Sequence, residues 1–438
     1  MKKTERRDFL KTSTVGAMGL SLASRTVQAA EANKRIVVGL IGPGGMGSNH
    51  LRLLARRADV EVAYVCDVDH NRLKAATSEV QSATGKAPEA VTDLRRVLDE
   101  SEVDAVLIAT PDHWHAPAAI MALDAGKHVY VEKPCCHNIR EGRLMAEACQ
   151  RTGKLLQVGT QSRSTQFVKD AIDRLQAGEI GDVLVAKAWN SQRRGSIGKA
   201  MPSEPPANLD FDLWLGPTPV VPFRKNLLHS TWRWFYDFGC GDIGNDCVHD
   251  IDVALWGLGV DTDPTTATSV GGKYFFDDDQ QFPDTQVAAF EYPGTDRHPR
   301  KRQLIFEQRI WSPYVQEGYE NGAAFYGTEG LLVLGHSVGW KLYGPRNALR
   351  AEGSGSGDLA AHHQNFFDCI RGDAQQLNAN VDVGARAATI VHLANIAARV
   401  GRVLNFDAKS GQILNDPEAN EMVGRTYRDQ HWAVPRGV

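Results

Sequence analysis

The residue types that could carry chemistry in this chain fall into three places. The first is GPGGMG, where Gly42, Gly44 and Gly47 stand at the spacing G-x-G-x-x-G behind an apolar run. Glycines so spaced let the chain turn tightly, let a pyrophosphate approach the backbone and let the next helix pack close to its strand. The free N–H groups of that helix start then face the phosphates. Gly45 and Met46 lie inside the same turn and count with it as candidate cofactor contacts. Asp67 follows Gly47 by twenty residues, where a carboxylate accepts from a ribose 2′-hydroxyl and repels a 2′-phosphate. The pattern favours NAD over NADP. The second place is VEKP at 131–134, with Lys133 able to set a cation beside a reacting hydroxyl; by position alone it is equally a solvated surface lysine. The third is Asn245 with His249, four residues apart and so on one face of a helix. An imidazole titrates near neutrality and can take a proton from a hydroxyl. Taken alone, a helical histidine is more often a hydrogen-bonded core residue.

The elements that must position these residues alternate. An apolar, β-branched run at 36–41 reads as a strand buried on both faces, and a helix starts at or just before Ser48. A second strand at 60–66 ends at Asp67. A helix over 91–98, a strand over 103–109 and a loop over 110–115 come next. A helix over 116–125, stopped by Gly126, leads to a strand over 128–131. Strand and helix in alternation predict a Rossmann dinucleotide-binding domain, here assigned 33–155. Its ligand lies at the carboxyl ends of the strands. Thr110, Pro111, His115, Glu132 and Lys133 fall at such ends and are candidate cofactor contacts.

Beyond residue 155 the pattern changes to longer alternating strands, at 182–190, 285–292, 302–310, 323–326, 331–334 and 340–343. Strands in succession predict an α+β C-terminal domain over 156–438, with a large, mostly antiparallel sheet open on one face. The proline-rich stretch 193–222 reads as a long loop at the mouth of the site, and EGSGSGD at 352–358 as a flexible loop. A helix running from about Ile243, with Val248, Ile251, Leu255 and Leu258 inward, carries Asn245 and His249. Trp232 and Tyr236 offer aromatic faces of the kind that stack on a pyranose, and they count with Arg163 as candidate substrate contacts. No spacing implies a bound metal.

A net charge of −4 with interspersed signs argues against a nucleic-acid partner. The seven cysteines lack paired spacing and read as buried thiols. At the start, Arg6-Arg7 followed by Asp-Phe-Leu-Lys and a modest apolar stretch resembles a twin-arginine export signal over 1–32. It predicts passage through the twin-arginine translocase to the periplasm.

GPGGMG, the ATPDHWH loop, VEKP and the later HHQNFFDCIRG segment together resemble the Gfo/Idh/MocA oxidoreductases, from Ile36 to about Phe406. The resemblance implies that Lys133 contacts both cofactor and substrate, and that His249 ends a D-x-x-x-H pattern as the proton acceptor. It also implies that the chain pairs through its open sheet as a homodimer or homotetramer. Asn245 departs from that pattern, since many members carry Asp there, and an amide can orient a hydroxyl but cannot buffer a proton. The expected activity is oxidation at a carbinol of a sugar, glycoside or polyol, with NAD held and recycled. The alternatives are a redox-neutral NAD-dependent glycosidase and a non-catalytic sugar sensor.

Overall fold

The computed structural model describes residues 35–294 and 299–438. The export signal read at 1–32 lies outside the described residues. The first sheet is six parallel strands in the order β3-β2-β1-β4-β5-β6. These are β1 (Ile36–Ile41), β2 (Val60–Cys66), β3 (Glu89–Val91), β4 (Ala105–Ile108), β5 (His128–Val131) and β6 (Leu156–Val158). β1, β2 and β5 lie where the apolar runs placed them. Their Val, Ile and Leu side chains are buried on both faces, Val37 alone only in part, as a sheet covered by helices on each side requires. The helix after the glycine turn spans Met46–Leu54.

Several local readings are corrected. Residues 91–98 are not one helix: Val91 closes the edge strand β3, and the helix is the single turn Arg95–Leu98. Backbone pairing of Cys66 with Val91 extends the sheet at the expense of the helix. The loop read at 110–115 is loop only to Pro111, because Asp112–Asp124 is helical; Pro117 lies in its second turn, and the His113 carbonyl it leaves without a helical donor accepts from Arg425 at 2.8 Å. The strand at 156–158, assigned to the far side of the domain boundary, is the sixth strand of the first sheet.

The second sheet has ten strands, in the order β14-β13-β12-β11-β7-β10-β9-β8-β15-β16. They are β7 (Val183–Asn190), β8 (Thr266–Gly272), β9 (Thr285–Tyr292), β10 (Arg302–Arg309), β11 (Asn321–Gly327), β12 (Leu331–Gly335), β13 (Gly339–Gly344), β14 (Ala348–Ser354), β15 (Leu404–Asp407) and β16 (Gln412–Ile413). All adjacent pairs are antiparallel except β7 with β10. β14 takes Glu352–Ser354 from the segment read as a flexible loop, since pairing with β13 satisfies its backbone. The helices Gln166–Gln176, Cys247–Leu258 and Val381–Val400 bury their apolar stripes on one face of this sheet, in one core with Leu304, Phe306 and Phe325.

The C-terminal part of the chain does not stay in its own domain. The helix Leu359–Arg371 crosses back to the first sheet, where Phe366 and Phe367 pack with Val38, Leu40 and Leu107. Val381, Ala388 and Ala433 join the core on that sheet's other side. No described helix is long and apolar enough to cross a membrane.

Candidate active site

The strand ends and the loop 193–222 enclose one cleft of about 430 Å³. It runs from Asp67 and the glycine turn to Lys133, Arg233 and Asn245. The glycines are dictated by space as well as by conformation. Gly42 has φ +83°, and a Cβ there would stand 2.8 Å from the Ala109 carbonyl; a Cβ on Gly47 would stand 2.0 Å from the Gly42 oxygen. The turn therefore packs against β4 as tightly as backbone permits, and the helix start of Met46–Leu54 opens into the cleft with no acidic residue in its first turn.

Gly42, Gly44, Gly45, Met46, Asp67, Thr110, Pro111, His115, Glu132 and Lys133 all line this cleft. Gly47 lies beneath it, buried. Burial pushes the Asp67 carboxyl up to about 6, although the Asp69 N–H donates to it at 2.9 Å and Arg72 stands near. Thr110 Oγ1 is buried with no hydrogen-bond partner among the described residues. Glycines that leave room for a phosphate, a carboxylate at the end of β2 and an unused hydroxyl fit a dinucleotide. His115 is spent on structure: both ring nitrogens meet carbonyl oxygens, Pro134 at 2.6 Å and Thr110 at 2.9 Å. Glu132 is buried beneath Lys133. It accepts from His50 Nε2 and Gln161 Nε2, both at 2.9 Å, and His50 Nδ1 accepts in turn from His363 Nε2 at 2.8 Å. Burial would raise the Glu132 carboxyl, but His50 and Lys133 outweigh it and hold it low.

Lys133 and Asn245 are brought together, since Lys133 Nζ donates to the Asn245 backbone oxygen. The helix that carries Asn245 and His249 is not continuous. It breaks at Asp246 (φ −112°, ψ −41°) into Gly241–Asn245 and Cys247–Leu258, so the two residues do not share one helical face. The Asn245 amide is also committed, donating to Asp242 Oδ1 at 3.0 Å. Asp242 is fully buried and also accepts from Asn190 Nδ2 and Arg194 Nε, each at 3.1 Å, while Arg194 reaches Asp246 at 3.2 Å. Even so, burial raises the Asp242 carboxyl, and an anion at position 245 would have made it worse.

His249 does not line the cleft. It lies behind it, 9% exposed, with Nδ1 unpartnered among the described residues. Burial, then the charges of Lys133 and His336, hold its imidazole well below the usual range, so it is neutral at neutral pH. The ring of His336 stands 5.3 Å away at 76°. His336 Nδ1 donates to Asp250 Oδ1 at 2.9 Å; burial alone would lower its pKa, but the Asp250 carboxylate raises it to about 9.

Among the candidate substrate contacts only Trp232 lines the cleft, with the Arg233 guanidinium 5.2 Å from its ring. Tyr236 faces a separate cavity, its hydroxyl donating to the Gln281 carbonyl at 2.6 Å. Arg163 is committed to Asp252, at 2.7 Å, and lies over the Trp256 ring at 4.8 Å. Sequence reasoning missed Asp112 and Arg233, which line the cleft beside Lys133, and the pair His336–Asp250. Burial raises the Asp112 carboxyl and lowers the Arg233 guanidinium. Asp112 sat in a loop already singled out, but nothing local marks His336, on the turn between β12 and β13. The segment 193–222 is not loop throughout, since Phe211–Leu215 is a helix capped by Asp210, but it does wall the cleft: Leu209, Leu213 and Trp214 line it, and the backbone of Asn208 and Asp210 bonds to His70 and Val68.

Comparison with known proteins agrees with this architecture. A family model for oxidoreductases with an NAD-binding Rossmann fold, Gfo/Idh/MocA, matches residues 36–160, and its C-terminal alpha/beta companion matches 185–288 and 349–434. An inositol 2-dehydrogenase of Salmonella typhimurium is 33% identical over 149 residues, covering 34% of this chain and 43% of that protein. A glycosyl hydrolase family 109 protein of Shewanella pealeana is 29% identical over 174 residues, 35% of this chain and 38% of its own. The chain thus spans less than half the length of these curated relatives. The WlbA dehydrogenase from Bordetella pertussis, solved in complex with NADH and UDP-GlcNAcA, shares the fold with a TM-score of 0.64. That match is 20% identical and covers 85% of this chain and 99% of that one. The two family models together span most of the chain, which belongs to the Gfo/Idh/MocA oxidoreductases and carries their NAD-binding Rossmann domain at its N-terminal end.

Proposed function

We propose that the protein is an NAD-dependent oxidoreductase acting on a carbinol of a sugar, glycoside or polyol. The observation that carries this reading is the continuity of one cleft from the glycine turn and Asp67 to Lys133 and Asn245, so that nucleotide and substrate ends meet at Lys133. The names of the relatives, an inositol 2-dehydrogenase among them, support the substrate class. NAD, when bound, supplies a hydride acceptor and donor. Lys133 holds the carbinol oxygen by charge and hydrogen bond. Neutral His249, whose Nδ1 has no partner among the described residues, accepts its proton through a bridging hydroxyl. Asn245, its amide held by Asp242, keeps Lys133 in place through its backbone oxygen.

The reading extends to a nucleotide that stays bound and is regenerated in each cycle, because a twin-arginine signal would take the folded protein to the periplasm, where no dependable NAD pool exists. There the protein would be a homodimer or homotetramer paired through the open sheet. A redox-neutral glycosidase is the second reading. Asp112 favours it, a buried acid beside Lys133 whose carboxyl burial raises toward the protonated form that donates to a leaving oxygen, and relatives named glycosyl hydrolase family 109 agree.

One experiment separates these readings. Protein purified without added nucleotide is denatured and its released NAD measured, while intact protein is given sugars and glycosides as reduced nicotinamide and product are followed. Near-stoichiometric NAD with net redox supports the first reading, and cleavage without net redox the second. Binding with neither makes the protein a sensor. Lys133→Ala and His249→Ala are each expected to slow turnover about 10²- to 10⁴-fold while retaining NAD; normal turnover in either removes that residue from the mechanism.

A further inference from the structure

The segment 425–437 is tied to both domains at several points. Arg425 pairs with buried Glu141 at 2.7 Å and donates to the His113 carbonyl at 2.8 Å; Tyr427 OH donates to Glu141 at 2.9 Å. Arg428 pairs with Asp212 at 2.7 Å, and its backbone N–H donates to the Pro217 carbonyl at 2.7 Å. Near the end, Arg140 Nε donates to the Gly437 carbonyl at 2.9 Å. Between these ties, Ala433 is buried in the core under the sheet and Trp432 emerges into the wall of the nucleotide cleft. The Trp432 indole is held by the Arg95 guanidinium, 4.2 Å from its ring, and by Trp114, 5.7 Å away.

Its position tells which end of a dinucleotide it meets. In this fold the pyrophosphate lies at the glycine turn and the adenosine ribose at the carboxylate ending the second strand. The base therefore lies beyond Asp67. The cleft wall there is Thr92, Asp93 and Leu94 after β3, and Trp432 packs with Leu94 and Trp114 in the same cluster. Lys133 and Asn245 lie toward the opposite end. We infer that Trp432 is an adenine-stacking residue delivered by the C-terminal strap, and that this strap sets how slowly the nucleotide leaves. The inference rests on the proposed NAD site and adds to it the element that retains the cofactor, placed by ion pairs to two other parts of the chain.

The test uses the full chain loaded with the fluorescent 1,N6-etheno analogue of NAD, chased with excess NAD, and equilibrium titration with ADP-ribose. Stacking of a base on an aromatic side chain corresponds to a factor of roughly 5 to 150. Trp432→Ala is expected to speed release about tenfold or more and to weaken ADP-ribose by a similar factor; Trp432→Phe stays within about threefold of the unmodified protein. Should Trp432→Ala fail to fold, Trp432→Leu fills the same apolar space without a π face and is expected to release as fast. Release from Trp432→Ala or Trp432→Leu at the unmodified rate overturns the inference. So does a change for the NAD analogue with none for ADP-ribose, and so does Trp432→Phe releasing as fast as Trp432→Ala. If the protein is purified empty, the resident-cofactor reading fails, yet the comparison of release rates still decides the role of Trp432.

Discussion

The pair His336–Asp250 gives a stability that depends on alkaline pH, and its size follows from the structure. His336 is 22% exposed at its side chain and Asp250 only 4%, so solvent screens the pair weakly. Asp250 lifts the imidazole from 6.5 to about 9 against the opposing effects of burial and Lys133. A rise of that size corresponds to about 3 kcal/mol of preference for the protonated form in the folded state. Because the folded pKa lies above the unfolded one, this stabilisation is complete below about pH 6.5 and disappears as pH climbs through about 9. The reference is the double substitution His336→Gln with Asp250→Asn, which keeps a hydrogen-bonded pair and removes both charges. Urea unfolding of the two proteins from about pH 6 to about pH 10 is expected to show the unmodified protein losing about 3 kcal/mol relative to the reference. A difference that stays flat across that range refutes the charged pair. The same charge helps hold His249 neutral, so loss of the pair also raises the pKa seen in the turnover profile.

Three further outcomes are expected. With the Asp67 carboxyl at about 6, only about a tenth of it is ionised near pH 5; NAD titrations should show affinity falling about tenfold between about pH 8 and pH 5, and Asp67→Asn should bind weakly with no such dependence. Asn245→Asp replaces the donor to Asp242 with a second carboxylate at 3.0 Å, so this variant should lose about 1 to 3 kcal/mol. The loss should grow as pH rises from about 4 through the raised folded-state pKa, and its turnover profile should differ from that of the parent; unfolding curves and pH–rate profiles check both. Arg163→Met should cost about 3 to 5 kcal/mol in urea unfolding by stranding the Asp252 carboxylate, 1% exposed, and leave NAD affinity unchanged. Adding Asp252→Asn should restore most of the loss.

Much of the first domain could be read from the chain because local physics and tertiary position agree there. The run 36–41 is apolar on both faces, which only a covered parallel strand tolerates, and Gly42 and Gly47 are demanded by a turn whose backbone leaves no room for a Cβ, while a Cβ on Gly44 would meet the Arg72 guanidinium. Asp67 and Lys133 were legible for the same reason: strand ends in a doubly wound sheet face one crevice. The short edge strand β3 was not, because three residues of pairing to β2 outweighed a helical pattern that no local rule could weigh against it.

The reaction end of the cleft was decided by tertiary structure. Helical spacing put Asn245 and His249 on one face, but ion pairs of Asp242 and Asp246 with Arg194, from a distant loop, accompany a break in the helix between them. Arg163 and Tyr236 were eligible by type, and their partners, Asp252 and Gln281, come from 89 and 45 residues away. His336 and Trp432 carry no local signature at all; a hairpin turn brings the first against His249 behind the cleft, and long-range packing brings the second into the cleft wall. Composition and spacing determine what a nucleotide turn is made of, since its constraints act within a few residues. Which side chains share a cavity depends on long-range packing and charge pairing, and those forces act between residues that the linear order leaves far apart.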